Sequence, residues 1–478
     1  MSQHNAKRYA EFYAEGRFQP SSGDGAMAVF SPSTGERIAE VVPSSAADVE
    51  RAARSARAGF EAWSRSSLEQ RQAVLQDLQT RLNARAAEAT VLLAEEMGCP
   101  VWLGQLMQLP MALKGLEFAR EGLGQIAFSE RVGNGLVERV PVGVVAAITP
   151  WNFPLHQIVA KVAPALAAGC SVILKPSEVA PGAALLFMQA VHEAGLPAGV
   201  VNLVWGGPEV GEQLVRHPEV DRISFTGSTQ VGRAIMATAA EGLKPVTLEL
   251  GGKSAAVLLD DADLDTAVAT VVRMSMANSG QACVSQSRLI APRARLAEVL
   301  ERAQAAMAAQ WPLGDPMDPA TRLGPVATAS QGKRVRAMID RAQADGARLV
   351  CGGSATPEGL AQGHYVRPTL FADLLPTMEI AQEEVFGPVL GVLAYDSEEQ
   401  AAQLANATRY GLSGAVWAGD AARATAFAQR MKTGQVVING APQNLATPFG
   451  GWGLSGFGRE NGRFGIEDLL QYRALHGA

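Results

Sequence analysis

Cysteine is scarce in this chain of 478 residues: Cys99, Cys170, Cys283 and Cys351 lie far apart, and no two form a C-x-x-C pair. That spacing makes neither a disulfide framework nor a zinc site, and the six scattered histidines add no ligand cluster. No metal is expected. Long apolar runs are missing as well. Stretches such as VPVGVVAAI and VAPALAAG stop well short of the roughly 18 residues a membrane helix needs. The opening MSQHNAKRYAEFYAEG has no apolar signal-peptide core. Basic excess is also absent, since 41 Lys+Arg face 47 Asp+Glu for a formal net charge of -6. With no Lys/Arg-rich tract, nucleic-acid binding is disfavoured. These absences point to a soluble, cytoplasmic protein without membrane or nucleic-acid partners.

What remains is a chain that is 47% hydrophobic and long enough for about three domains. Its 49 glycines follow no collagen period and suggest tight turns or close backbone approaches. Residues 46–63 and 67–97 read as helices, with Leu75, Leu78 and Leu82 on one face. From Val142 the runs VGVVAAI, SVILK, VVNLVW and RISFT alternate with helical stretches near 156–168, 182–195 and 210–217. Alternation of this kind argues for a parallel sheet covered on both faces. After Gly252 a second α/β region begins, with strands AAVLL and QSRLIAP and helices at 294–309 and 331–346. Further strands and a helix near 421–431 follow between Val385 and Asn439. PFGGWGLSGFGRENG is too glycine-rich for a regular element and reads as a site-lining loop.

The segment DRISFTGSTQVGRAI reads strand, turn, helix, with Gly227 and Gly232 bracketing Ser228. Backbone N–H groups at such a helix start can meet a phosphate, although an ordinary βα turn has the same look. GGKS at 251–254 fails as a P-loop because Thr247 stands where the first glycine belongs. LKPSE puts Lys175, Ser177 and Glu178 just after a strand. A ribose-bearing ligand suits that position, as does a simple surface ion pair. Glu178 would repel a 2′-phosphate.

Three groups have a joint chemical use. Cys283, in NSGQACVSQSR, lies among small and polar residues, whereas Cys170 sits in an apolar run and reads as core. Glu249 ends an apolar strand that stops in two glycines, and Asn152 follows a strand in ITPWNFPL. A thiolate attacks a carbonyl, an amide donor stabilises the oxyanion, and a carboxylate activates water. Turn capping would account for either polar residue taken alone.

The ordered set PWNFPL, LKPSE, FTGSTQVG, ELGGKS, GQACVS, EEVFGPV and PFGGWGLSG resembles the aldehyde dehydrogenase superfamily over essentially the whole chain. The resemblance implies an α/β fold with a Rossmann-type cofactor domain, an α/β catalytic domain and a small β bridging arm. It divides the chain into a cofactor domain at 1–121 and 141–252, a bridging hairpin at 122–140, a catalytic domain at 253–450 and a return segment with an oligomerisation strand at 451–478. Homodimers or pairs of dimers are implied. By the same likeness Cys283 is the nucleophile, forming a thiohemiacetal and then a thioester. Asn152 holds the oxyanion, and Glu249 helps water release a carboxylic acid. Cofactor contacts are assigned to Lys175, Ser177, Glu178, Gly227, Ser228, Gly232, Trp151, Leu250, Gln331, Glu384 and Phe386, and the substrate pocket to Phe153. NAD is the expected cofactor, with NADP as the alternative. Glu249 favours hydrolysis over transfer to coenzyme A, and a non-catalytic binding protein would not need both it and Cys283. A broad aliphatic or aromatic aldehyde range is expected. The alternative, a dedicated semialdehyde dehydrogenase, calls for a tunnel arginine, for which Arg288 is too generic a candidate. Many members carry lysine after the aromatic of the late glycine loop, where this chain has Trp452 and then Gly453.

Overall fold

A computed structural model describes residues 7–477. Its two large sheets follow from strands that are apolar on both faces. In the first, Val145, Ala147, Val172 and Leu174 point into one core with Leu75, Leu78, Leu82, Ile158 and Val162. The residues between them, Val144, Ala146, Ile148 and Ile173, point into a second core with Ala52, Ala53, Ala56, Ile235 and Leu248. A period of two that is apolar on both sides is the mark of a sheet buried between helix layers. Eight strands form it, in the order Gly456–Phe457, Val246–Glu249, Arg222–Thr226, Val144–Ile148, Ser171–Lys175, Val201–Leu203, Glu11–Ala14, Arg17–Pro20. The five central ones are parallel, and the pairings at both ends are antiparallel. From Val144–Ile148 the chain steps outward twice, then returns to the other side with Arg222–Thr226. This reversal leaves a crevice at the carboxyl edge, where ligands bind in open α/β sheets.

The second sheet repeats the logic over seven strands, from Arg348–Cys351 through Thr369–Ala372, Val389–Tyr395, Arg288–Pro292, Ala255–Leu258 and Ser413–Trp417 to Gln435–Ile438. Ala255 and Val257 face one core, Ala256 and Leu258 the other. A third, three-stranded sheet joins Ser129–Val132, Gly135–Pro141 and the late strand Leu470–His476, with the four residues of its first strand exposed. No helix of the described residues is long and apolar enough to cross a membrane.

Several expectations need correction. The single helix at 67–97 is two, Leu68–Ala84 and Ala86–Met97, because Arg85 leaves helical geometry between them. Residues 101–123 form helix that the residue pattern did not announce, including a π-helical turn, Gly104–Gln108. The glycine-rich loop holds two short strands, Trp452–Gly453 and Gly456–Phe457, the second closing the edge of the first sheet against Glu249.

Helix Pro154–Ala168 is buried along its whole length, so its last carbonyls have no water to bond. Buried Arg71 supplies the donors: Nη1 reaches the carbonyls of Ala167 and Ala168 at 3.3 and 3.0 Å, and Nη2 reaches that of Ser64 at 3.1 Å. Gly169 ends the helix at φ 93°, and a Cβ there would stand 2.6 Å from Nη2 of Arg71. Arg71→Leu should therefore orphan buried carbonyls and cost about 2–3 kcal/mol, read as a lower denaturant midpoint. Arg71→Lys should recover only part of it, since an ammonium cannot span the same fork.

Candidate active site

The candidate polar residues gather where strands of the first sheet end. Val144–Ile148 runs out into residues 149–153, Ser171–Lys175 ends on the lysine, Arg222–Thr226 leads into Gly227, and Val246–Glu249 ends on the carboxylate. Lys175 is buried, which pushes its ammonium below the usual range, and its Nζ lies 3.8 Å from Glu178, too far for a hydrogen bond. Ser177 Oγ accepts from the Val179 N–H at 3.3 Å. Ser228 caps helix Thr229–Glu241, accepting from the Val231 N–H at 3.3 Å and keeping its own O–H to donate. A Cβ on Gly232 would stand 2.6 Å from Leu250, and one on Gly227 would stand 2.4 Å from the Phe225 ring. Glycine at both points lets the helix start lie close against the sheet edge.

On the opposite wall, Glu384 Oε1 accepts from the Gly252 N–H at 3.0 Å. Its Oε2 would lie 2.4 Å from a Cβ on Gly251. Burial pushes this carboxyl up to about 7. Phe386 has φ 56°, a left-handed backbone that costs a non-glycine residue. Its ring meets Trp151 edge-on, centroids 5.6 Å apart. Gln331 Nε2 donates to the carbonyls of Phe386 and Val385 at 2.8 and 3.3 Å, so this amide shapes the Phe386 loop. A buried lysine lacking a hydrogen-bonded carboxylate, a free hydroxyl at a helix start and a glutamate over paired glycines fit a ligand bearing riboses and a pyrophosphate.

Cys283 follows a strained turn. Asn278 and Ser279 take φ of 55° and 56° before Gly280 at 70°, whose Cβ would stand 2.0 Å from the Gly387 carbonyl. The turn is held from several sides. Asn278 Nδ2 donates to the Asn152 carbonyl at 2.9 Å, Ser279 Oγ to the Gly324 carbonyl at 2.8 Å, and Gln281 Oε1 accepts from Ala327 N–H at 2.8 Å. Asn152 Nδ2 donates to the Gln281 carbonyl at 2.9 Å, which ties the amide to the cysteine loop with one N–H left over. Cys283 itself forms part of a small chamber, about 60 Å³, together with Phe153. Burial pushes its thiol up, and the Glu384 and Glu249 carboxylates add to the shift.

Glu249 is buried and neither carboxylate oxygen has a hydrogen-bonding partner. Burial raises its carboxyl well above the ordinary range; Glu460 adds to that, while Lys161 and Arg459 oppose it. Lys161 and Glu460 form a buried ion pair at 2.5 Å. Neither was anticipated, although a lysine inside the apolar run of PLHQIVAKVAPALAA was a legible signal. Glu460 offered none. The chamber shares Met111, Phe153 and Ala282 with an outer cavity of about 410 Å³ lined chiefly by apolar side chains, including Leu106, Met107, Phe118 and Met274. Arg288 is not part of it. Its guanidinium donates to the carbonyls of Lys253, Leu404 and Ala405 at 2.9, 2.8 and 2.9 Å, a structural clamp. Cys170 is core, with its burial raising the thiol to about 11.

Known proteins resemble this chain along essentially its whole length. The model of the aldehyde dehydrogenase family matches residues 18–475. A 3-succinoylsemialdehyde-pyridine dehydrogenase from a Pseudomonas species is 44% identical over 471 residues, 98% of each chain. Among solved structures, a cysteine-to-alanine mutant of aldehyde dehydrogenase C from Pseudomonas syringae, in complex with NAD+ and octanal, is 44% identical with a TM-score of 0.96, covering 100% of this chain and 98% of that one. A Mycobacterium tuberculosis aldehyde dehydrogenase complexed with NAD+ is 40% identical with the same TM-score, covering 99% of both. The chain belongs to the aldehyde dehydrogenase family.

Proposed function

We propose that this protein oxidises uncharged aliphatic and aromatic aldehydes to carboxylic acids with NAD, through a covalent intermediate on Cys283. The observation that carries the reading is Glu249: a buried carboxyl with no partner, close enough to Cys283 to raise its thiol. Cys283 Sγ adds to the aldehyde carbon, and the spare Nδ2–H of Asn152 and the Cys283 backbone N–H face the oxyanion. NAD, when bound, supplies the hydride acceptor. Lys175 and Glu178 hold the adenosine ribose, and Ser228 donates to the pyrophosphate. Glu384 receives the second ribose, with Trp151 and Phe386 packed beside it. Once the carbon is at the thioester level, Glu249 takes a proton from water as it attacks, and the acid leaves with Cys283 restored.

The apolar outer cavity supports a broad range of chain lengths. A second reading, a semialdehyde with an anionic tail, has one observation in its favour. Lys114 is the single charged side chain among the described residues lining that cavity. The exposed edge strand Ser129–Val132 favours assembly as a homo-oligomer, dimer or dimer pair. Free thiols at all four cysteines suit a reducing, cytoplasmic setting.

Cys283→Ala should lower NADH formation by about 10³-fold or more while NAD still binds, as followed by absorbance and by calorimetry. Undiminished turnover would refute the nucleophile. Glu249→Gln should slow acid release about 100-fold and leave an acyl adduct on Cys283, visible by intact mass. Glu249 also predicts a pH dependence. Its folded value lies above its unfolded one, so its contribution to stability is present at acid pH and is lost as pH rises from the ordinary carboxylate range through the raised value. Denaturant titrations should show Glu249→Gln losing less stability than the natural protein over that window.

A further inference from the structure

The strand that ends on Glu249 is held from the side by a triangle of polar contacts. Asp468 Oδ2 accepts from Arg222 Nη2 at 2.6 Å and from Thr247 Oγ1 at 2.6 Å, and the same Nη2 donates to Thr247 Oγ1 at 3.0 Å. Arg222 and Thr247 are 9% and 3% exposed, so these bonds lie largely out of water, where they are costly to lose. Three distant parts of the chain meet here: strand Arg222–Thr226, strand Val246–Glu249 and the residue that follows helix Gly462–Glu467. No step assigned to Cys283, Asn152 or Glu249 uses the triangle.

Two routes lead from it to Glu249. The first is the strand itself. Thr247 and Glu249 are alternate residues of one strand, so their side chains stand on the same face, about 7 Å apart along it. The second is the roof. A Cβ on Gly458 would stand 2.7 Å from Thr247 Cγ2 and 3.2 Å from Asp468 Oδ2, so the roof loop rests on the triangle. The Gly458 carbonyl accepts from Arg459 Nη1 at 2.6 Å, and a Cβ on Gly450 would crowd both of these atoms and Glu249 Oε1. Glu249 has no hydrogen bond of its own, so its place depends on what fixes its strand and its roof. Charge follows the same paths. Burial raises the Glu249 carboxyl, Glu460 and Asp468 add to the rise, and Lys161 and Arg459 oppose it. Cys283, on its turn, is the titratable group that Glu249 acts on.

We infer that Asp468, braced by Arg222 and Thr247, is a positioning residue for the hydrolytic step and holds Glu249 where it can take the proton of the attacking water. This rests on the reading of Glu249 as the general base and adds what keeps that base in place. In that step the water oxygen bonds to the acyl carbon, Glu249 takes the proton, and the C–S bond breaks to free the acid and Cys283. The carboxylate must be aligned for it, whereas the addition of Sγ and the loss of hydride do not use Glu249. The triangle therefore serves the second half of the reaction. It also ties that half to the third sheet, since strand Leu470–His476 begins two residues after Asp468 and pairs with Gly135–Pro141.

The test follows a single turnover. Enzyme saturated with NAD is mixed with less than one equivalent of octanal. NADH absorbance reads thioester formation, and intact mass of quenched samples reads the decay of the acyl adduct on Cys283. In Asp468→Ala and, separately, in Thr247→Val, NADH should appear at the natural rate while the adduct decays about tenfold more slowly. Asp468→Asn keeps an acceptor oxygen but removes a charge that raises Glu249, so the rise of the decay rate with pH should move to lower pH. Natural decay in both Asp468→Ala and Thr247→Val would overturn the proposal, as would an Asp468→Asn profile that does not move down. NADH formation and decay slowing in the same proportion would also overturn it, because that marks a structural role alone. Natural decay in Glu249→Gln would overturn the reading of Glu249 itself, and the positioning with it, so the two failures are told apart.

Discussion

A carboxyl group carried into the interior without a hydrogen bond must stay protonated or be completed by something from outside. Glu249 is in that position, and separate parts of the chain converge to keep it there. Its strand is closed on the outer side by Gly456–Phe457, which pairs Glu249 with Gly456. The glycine-rich loop roofs it, and Gly450 leaves room that a Cβ would fill, 2.8 Å from Oε1. The Lys161–Glu460 pair joins the first buried helix to that loop beside it. A side chain added there would meet the Gly458 carbonyl at 2.7 Å and Arg459 Nη1 at 2.9 Å as well as the carboxylate, so the roof and Glu249 are fitted to one another.

The same burial sets the state of Cys283. Cys283 rests as a thiol because burial opposes the thiolate and because Glu384 and Glu249 are near. Both carboxyls are themselves raised by burial, Glu384 to about 7. The strained turn at 278–280 holds the cysteine among these groups, and its cost is offset by the hydrogen bonds from Asn278, Ser279 and Gln281. A thiol held in this way is a weaker nucleophile than a free one.

Much of this was legible beforehand, for physical reasons. Strands such as VGVVAAI and SVILK are apolar on both faces, and that composition admits little besides a covered parallel sheet. Glu249, Asn152 and Cys283 stand out because polar groups beside strand ends or among small residues need a reason. The break at Arg85 and the helical stretch at 101–123 were not legible, since both depend on tertiary packing more than on periodicity. Glu460 was hidden in a glycine loop, where its burial arises only when that loop folds over the sheet. Gln331 illustrates a different limit. Its position was anticipated, but its amide is committed to the loop carrying Phe386.

One helix connects the chamber wall with the buried carboxyl of Glu249. On Pro154–Ala168, Gln157 and Lys161 lie four residues apart and therefore on one face, a turn from each other. Gln157 lines the chamber, while Lys161 bonds Glu460 and acts on the charge of Glu249. The helix cannot shift without moving the cation that opposes the rise of the Glu249 carboxyl. Arg71 fixes its carboxyl end, and the Asn152 contacts fix the segment just before its start. One face of this helix thus carries both a residue of the chamber wall and the lysine paired with Glu460.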